Sequence, residues 1–380
     1  MRFKKTISAF MAIAGLMTSC LQSSAEKEIE VTAPAALLMD AGTGKVLYEK
    51  NPHEIRVCAS ITKVMTLLLV MEVVDSGKIK MNDMVTASAH AASMGGSDIW
   101  LEPGETMTVD EMIKATTVAS ANDAAVALAE HISGSEEVFV DEMNRKAQKL
   151  GMKDTVFKNC NGLDEDGHVT SAYDVAVMSR ELMKHKTIFN YTSIWIDYLR
   201  NGKTQLVNTN KLLKGYKGIT GLKTGTTSKA GSCISATAER DSLSLIAVVL
   251  GSATGKDRFR DAAKILNHGF ANYVMMKPEV KKEDMLPVNV VNGMQNSVNT
   301  GADLTTGFLI EKGKENEVKS DIVINEEVEA PVIKGQVVGK ITYSLGDEIL
   351  AEYDITALND IDKLSFSSVF GILFRQFVAH

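Results

Sequence analysis

Hydrophobic periodicity changes character once along this chain, near Met276, and that switch sets how many domains it forms and of what kind. Upstream, apolar residues recur at helical spacing in successive blocks. Ser60 to Val74 is apolar almost all round, which predicts a buried helix, and further helices are predicted over Ala121–Ile132, Val138–Leu150 and residues 256–274. Strand-like runs share this half. Ala36–Met39 and Lys45–Tyr48 flank an Asp/Gly-rich turn, predicting a hairpin over residues 34–50, and Leu222 to Leu250 contains Cys233–Ala238 and Leu243–Val249. Downstream, the helical period vanishes. Short runs at Val288–Val291, Ile322–Ile324, Val337–Tyr343 and Ile349–Ile355, punctuated by Gly335, Gly339 and Gly346, predict a small all-β domain. With 380 residues, 45% of them apolar, the chain is long enough for two packed domains.

The two ends carry different signals. Arg2, Lys4 and Lys5 precede an apolar run from Ala9 to Met17, and small residues follow at Ser23-Ser24-Ala25; residues 1–25 therefore read as a secretory signal peptide. Lipid attachment at Cys20 is the alternative. Removing Arg2, Lys4 and Lys5 with that segment takes the net charge from −7 to −10. An acidic chain argues against a nucleic-acid partner, so an anionic substrate would need local basic side chains. At the other end, Phe366, Val369, Phe370, Leu373, Phe374 and Phe377 fall on one helical face, with Ser368, Gly371 and Arg375 opposite. Residues 365–380 are too few to span a bilayer core of ~30 Å and suit a helix lying in the membrane surface. Packing on its own domain or on a partner is the other reading.

Local signals fill in the middle. Thr108-Val-Asp-Glu111 predicts a capping box, and Ser171-x-x-Asp174 predicts a capped helix running to about Lys184, after a Gly/Asn/Asp loop over 159–170. Gly44-Lys45 is not a phosphate loop, because Val46 stands where a hydroxyl is needed. Beyond residue 25, Cys58, Cys160 and Cys233 show no metal spacing and no C-x-x-C pair. Small buried thiols are the simpler reading, with one disulfide open in an exported chain.

Three short motifs carry chemistry. In Ser60-Ile-Thr-Lys63, positions i and i+3 of a helix start share a face, so the amine reaches the hydroxyl. A serine needs a base to become a nucleophile, and a lysine serves if burial lowers its pKa. Lys63 lies in an otherwise apolar run, where an idle charge would be costly. Ser120-Ala121-Asn122 offers a hydroxyl and an amide that can pass a proton and hold a carbonyl; Ser120 with Asp123 equally fits a helix cap. Lys223-Thr224-Gly225-Thr226 enters a strand-rich segment. There a lysine and a hydroxyl can bind a carboxylate, and a side-chain-free position lets an extended peptide pair alongside.

Each motif is weak alone. In this order, with gaps of 60 and 103 residues, they form the set of penicillin-binding proteins and class A β-lactamases. From about Ala33 onward the sequence resembles the serine-type D-alanyl-D-alanine carboxypeptidases, the low-molecular-mass penicillin-binding proteins. Gly104-Glu105, the stretch from Asn161-Gly162-Leu163 to Gly167-His168, and Gly221-Leu222-Lys223-Thr224-Gly225 carry the likeness along with the β-type segment and tail. The resemblance implies an α/β fold of the β-lactamase/transpeptidase type, an antiparallel sheet flanked by helices plus a helical lobe. A small all-β domain and an amphipathic helix would follow, with divisions at 1–25, 26–275, 276–363 and 364–380.

It further implies that Ser60 attacks D-Ala-D-Ala with Lys63 as base, while the N–H groups of Ser60 and Thr226 hold the oxyanion. Ser120 and Lys223 would move the proton to the leaving D-alanine, Asn122 would orient the substrate amide, and Lys223 and Thr224 would bind the terminal carboxylate. Neither metal nor cofactor is implied. The implied partners are peptidoglycan pentapeptides, β-lactam antibiotics and the outer face of the cell membrane. Two departures stand out. Ala121 replaces the usual Asp of the second motif, and Thr209 stands where some relatives carry an arginine, which shifts carboxylate recognition toward Lys223 and Thr224. A β-lactamase, with Glu165 as the candidate water-activating residue, and a non-catalytic wall sensor are the competing functions.

Overall fold

The computed structural model describes residues 29–378. The expected signal peptide at 1–25, with Cys20, lies outside the described residues, as do the final two positions of the tail.

Five strands form the central sheet: β1 (Ala35–Asp40), β2 (Val46–Lys50), β3 (Ile219–Thr227), β4 (Gly231–Arg240) and β5 (Leu243–Ser252). Their order is β2-β1-β5-β4-β3 and every pairing is antiparallel, leaving one edge of β3 open. The β1–β2 turn closes because the Asp40 carboxylate accepts from Thr43 N–H and Oγ1, both at 2.7 Å.

Strand alternation gives the sheet two buried faces. Leu37, Met39, Ile246 and Val248 point into the larger core with the helical lobe. Leu38 and Leu245 point the other way, where helix α4 (Gly255–Asn272) crosses so closely that a Cβ at Gly269 would meet them at 2.8 and 2.5 Å. The lobe is built on α1 (Lys63–Asp75), α2 (Asn122–Ser133) and α3 (Ala172–Leu182). Nothing from Lys63 to Met71 is accessible enough to be called surface, in agreement with the all-round apolar pattern. Each of Leu67, Leu68 and Leu69 there contributes roughly 1.5–3 kcal/mol through burial. The Thr108–Glu111 capping box is present in full. At α3 the cap is one-sided: Ser171 accepts from Asp174 N–H, but the Asp174 carboxylate turns to Asp154 N–H and Thr155 Oγ1.

Beyond α4 the chain becomes β. Tyr273–Met276 pairs with Phe308–Glu311, and a four-stranded antiparallel sheet runs Thr300–Ala302, Glu348–Ala357, Val337–Leu345, Lys319–Ile324. Val288, Phe308, Val338, Ile341, Tyr343 and Ile355 form its separate core. The longer strands follow the sequence pattern. Ser297–Val298, Thr300–Ala302 and Glu327–Glu329 do not, because two or three residues are too few to display a period of two.

The terminal helix α5 (Phe366–Val378) stacks Phe366, Phe370 and Phe374 at 6.2 Å intervals on one side. Phe366 is 88% and Phe377 85% exposed, so these rings do not pack on the body of the protein. No described helix is long and apolar enough to cross a membrane. Cys58, Cys160 and Cys233 are free and buried, which settles the thiol question in favour of packing.

Candidate active site

Ser60 sits in a tight 3-10 turn, Ala59–Thr62, that runs directly into α1. Ala59 adopts the left-handed conformation, with φ 50°. The turn is squeezed from two sides by residues without side chains. A Cβ on Gly162 would lie 2.1 Å from the Ala59 carbonyl oxygen, and one on Gly225 would lie 2.6 Å from the Cys58 carbonyl and 2.9 Å from Ser60 N. Gly225 is therefore required by the protein's own packing, independently of any peptide lying along β3.

Lys63 is fully buried, and its Nζ lies 3.2 Å from Ser60 Oγ, 2.5 Å from Asn122 Oδ1 and 2.7 Å from the Asn161 carbonyl. Burial pulls its pKa from 10.5 down to about 7, against the opposing negative charges of the Asp98 and Asp123 carboxylates. A neutral amine has two hydrogens and one lone pair. Asn122 Oδ1 and the Asn161 carbonyl can only accept, so they take the two hydrogens and leave the lone pair facing the Ser60 hydroxyl. That is the arrangement of a base waiting for a proton.

Ser120 does not cap α2. A π-helical turn, Ala115–Ala119, ends on Ser120 in a left-handed conformation (φ 64°), and the capping position passes to Ala121 without a side-chain bond. Asp123 bonds instead to the N–H groups of Ile99 and Leu101. The Ser120 hydroxyl is thereby freed, and Lys223 Nζ donates to it at 2.7 Å. Asn122 joins the same wall, giving an Nδ2 hydrogen to the Gly95 carbonyl at 2.6 Å while its Oδ1 holds Lys63.

Along β3, alternation sends Lys223 and Gly225 to the lobe face and Thr224 and Thr226 to the other. Lys223 is buried, and burial, then the charges of Lys63 and Arg258, hold its pKa well below the usual lysine value. Thr224 Oγ1 donates to Thr209 Oγ1 at 2.6 Å, so Thr209 is a direct partner of the third motif. All eight residues singled out by motif converge around this one turn and strand edge.

Other participants had no role read from the sequence, although Asn161 and Glu105 stand in segments that carry the likeness. Arg258, in the first turn of α4, lies on the same face of the sheet as the Thr226 side chain and reaches the Gly225 carbonyl (2.9 Å) and Thr226 Oγ1 (2.8 Å), and its Nε is buried without a partner. Asn161 contributes a backbone carbonyl, which any residue type supplies, so the sequence could not assign it this role. Glu105 makes two bonds to Arg200 at 2.7 and 3.0 Å, and Arg200 in turn holds the Ile99 carbonyl. That clamp orders the loop whose Gly95 and Ser97 carbonyls accept from Asn122.

The chain matches known proteins over most of its length. Residues 22–254 match the family model for D-alanyl-D-alanine carboxypeptidase, and residues 273–363 match the C-terminal domain of penicillin-binding protein 5. The chain is 46% identical over 343 residues to D-alanyl-D-alanine carboxypeptidase DacF of Bacillus subtilis, covering 89% of this chain and 88% of the relative. It is 33% identical to DacC of Escherichia coli over 90% of this chain and 88% of that one. Among solved structures, penicillin-binding protein 5 of Haemophilus influenzae superposes with a TM-score of 0.74 at 34% identity, covering 88% of this chain and 98% of that one. Penicillin-binding protein D2 of Listeria monocytogenes, solved with ampicillin bound, gives 0.58 at 33% identity over 64% of this chain and 99% of that one.

Proposed function

The chain belongs to the D-alanyl-D-alanine carboxypeptidase family, and from that premise we propose that Ser60 is the residue it acylates. The enzyme is a serine-type carboxypeptidase of the penicillin-binding class. The observation that carries the assignment is Lys63 Nζ at 3.2 Å from Ser60 Oγ, with the amine anchored on the Asn122 Oδ1 and Asn161 carbonyl oxygens. Lys63 takes the hydroxyl proton as Oγ attacks the carbonyl between the two D-alanines. The N–H groups of Ser60 and Thr226 receive the oxyanion. As the C–N bond breaks, the amine of the departing D-alanine takes a proton through Ser120 and Lys223. Water then attacks the ester, and Ser60 recovers its proton. Asn122 orients the incoming amide while keeping Lys63 aimed.

The substrate is a peptidoglycan pentapeptide laid against the open edge of β3, and the same serine opens β-lactam rings. Lys223 and Thr224 read the terminal carboxylate, with Thr226 backed by Arg258 on the same strand edge. Glu165 is exposed and bonded to Asn159 Nδ2 at 3.1 Å, a poor place for the water-activating base of a β-lactamase.

Release of free D-alanine from a peptide ending in D-Ala-D-Ala tests this reading. The matched C-terminal amide removes a charge-assisted contact and is expected to react ~10–100-fold more slowly, from a loss of about 1.5–3 kcal/mol. Equal rates on acid and amide would remove Lys223 from carboxylate recognition.

The enzyme works outside the cytoplasm after loss of residues 1–25, held to the membrane surface by residues 365–380. Its exposed phenylalanine face is the support for this. Arg375 is the strongly basic residue on the helix, so apolar burial dominates attachment and salt should change it little. Deleting residues 365–380 is expected to leave penicillin acylation intact and abolish flotation with lipid vesicles. Equal flotation of full and truncated forms would point to Cys20 instead.

A further inference from the structure

The acyl-transfer scheme leaves His168, a buried titratable side chain of this region, without a task. His168 is 1% exposed and lies at the end of the 159–170 loop, with the Phe157 ring edge-on at 5.8 Å. Its Nδ1 lies 3.2 Å from the Lys158 backbone nitrogen, a group that can only donate. Nδ1 therefore accepts, and the neutral ring carries its hydrogen on Nε2, which lies 2.8 Å from Thr62 Oγ1. Thr62 Oγ1 in turn donates to the Ala59 carbonyl at 2.9 Å, and its other lone pair faces Cys58 Sγ at 3.5 Å. Burial pulls the His168 pKa to about 4, against the nearby Glu165 and Asp164 carboxylates and with the help of Lys158. The ring stays neutral, and the chain of donors keeps one direction.

That chain ends on a peptide that needs holding. Ala59 is left-handed, a conformation costing a side-chain-bearing residue about 1–2 kcal/mol, and its next neighbour is Ser60. Gly162 clears the space around the Ala59 carbonyl without offering a side-chain donor. A free threonine hydroxyl would rotate among staggered positions. The bond from His168 removes that freedom.

We propose that His168 is a positioning residue for the nucleophile, acting through Thr62 to hold the Ala59 peptide and so to set Ser60 Oγ against Lys63 Nζ. This deepens the reading of Ser60 as the acylated residue and rests on it. His168 touches neither substrate nor the reacting atoms.

Two near-isosteric replacements separate positioning from simple filling of space. In His168→Gln the amide nitrogen reaches where Nε2 was and keeps the bond to Thr62. In His168→Asn the amide oxygen replaces Nδ1 and keeps only the bond to Lys158. The measurements are the penicillin acylation rate at saturation, the pre-covalent dissociation constant, and the melting temperature of the full chain. His168→Gln is expected within about threefold of the wild-type rate, and His168→Asn ~10–100-fold below it, with the dissociation constant unchanged. Thr62→Val should fall by a similar factor, and the double variant no further than the worse single one. Wild-type rates in His168→Asn, or equal losses in both replacements, would overturn the proposal.

Should His168→Asn not fold, Thr62→Val against Thr62→Ser tests the same chain. Loss in valine with retention in serine supports it, and equal rates sink it. A wrong choice of nucleophile shows up separately, as an adduct mapped to a peptide other than that of Ser60 in the unmodified protein.

Discussion

Ser60→Ala is expected to form no covalent penicillin adduct and to release D-alanine at background, a loss of order 10⁶-fold if this enzyme behaves like other acyl-enzyme hydrolases stripped of their nucleophile. The substitution should leave the fold alone. Ser60 is only half-buried, and its hydroxyl makes the longest of the three bonds at Lys63 Nζ; Asn122 Oδ1 and the Asn161 carbonyl still hold the amine after the hydroxyl is gone. Intact-mass measurement should show one adduct on the wild type, mapped to the peptide containing Ser60, and none on the variant. Any adduct retained by Ser60→Ala would place the nucleophile elsewhere.

Lys63→Ala should slow acylation by ~10²–10⁴-fold, the usual contribution of a positioned general base. The pH profile carries the more specific expectation. The working form of Lys63 is the neutral amine, and burial lowers its pKa from 10.5 to about 7. The rate should therefore rise through about pH 7 and fall roughly tenfold for each unit below it, as the amine takes up a proton and loses its lone pair. Lys223 works in the opposite sense. Its charge attracts the substrate carboxylate, and its lowered pKa means that this charge is lost at a pH below the usual lysine range. Peptide hydrolysis should therefore weaken again on the alkaline side, more than for the amide substrate. Stopped-flow acylation of wild type and Lys63→Ala from roughly pH 5 to 9 checks the acid limb. A flat wild-type profile, or an unchanged limb in Lys63→Ala, would assign the base elsewhere.

The two lysines show where reading a sequence succeeds and where it stops. Lys63 could be suspected because a cation stood inside an apolar run, and burial of such a group has a predictable consequence. Its backbone partner could not be read. The Asn161 carbonyl that fixes the direction of its lone pair lies 98 residues away and is a backbone atom. Ser120 shows the reverse situation. Read locally, Ser120 and Asp123 make a good helix cap, yet a left-handed turn at Ser120 and the N–H groups of Ile99 and Leu101 draw the two apart. Only the packed loop reveals that the hydroxyl belongs to Lys223.

By itself, then, the sequence determined what local chemistry can encode. Apolar spacing set the buried α1, the α/β half, the β half and the one-sided apolar tail. Hydroxyl and carboxylate spacing set the cap at Thr108. Motif order set which residues compete for a catalytic role. Tertiary structure alone decided the rest. It brought Gly162 and Gly225 against the Ser60 turn, tied His168 to Ala59 through Thr62, and set Arg258 of α4 against Thr226. The physical reason is the range of the interactions. Periodicity and capping act over three or four residues and leave a pattern in the chain. Desolvation, close backbone approach and hydrogen bonds between distant segments exist only once the core excludes water and brings those segments together.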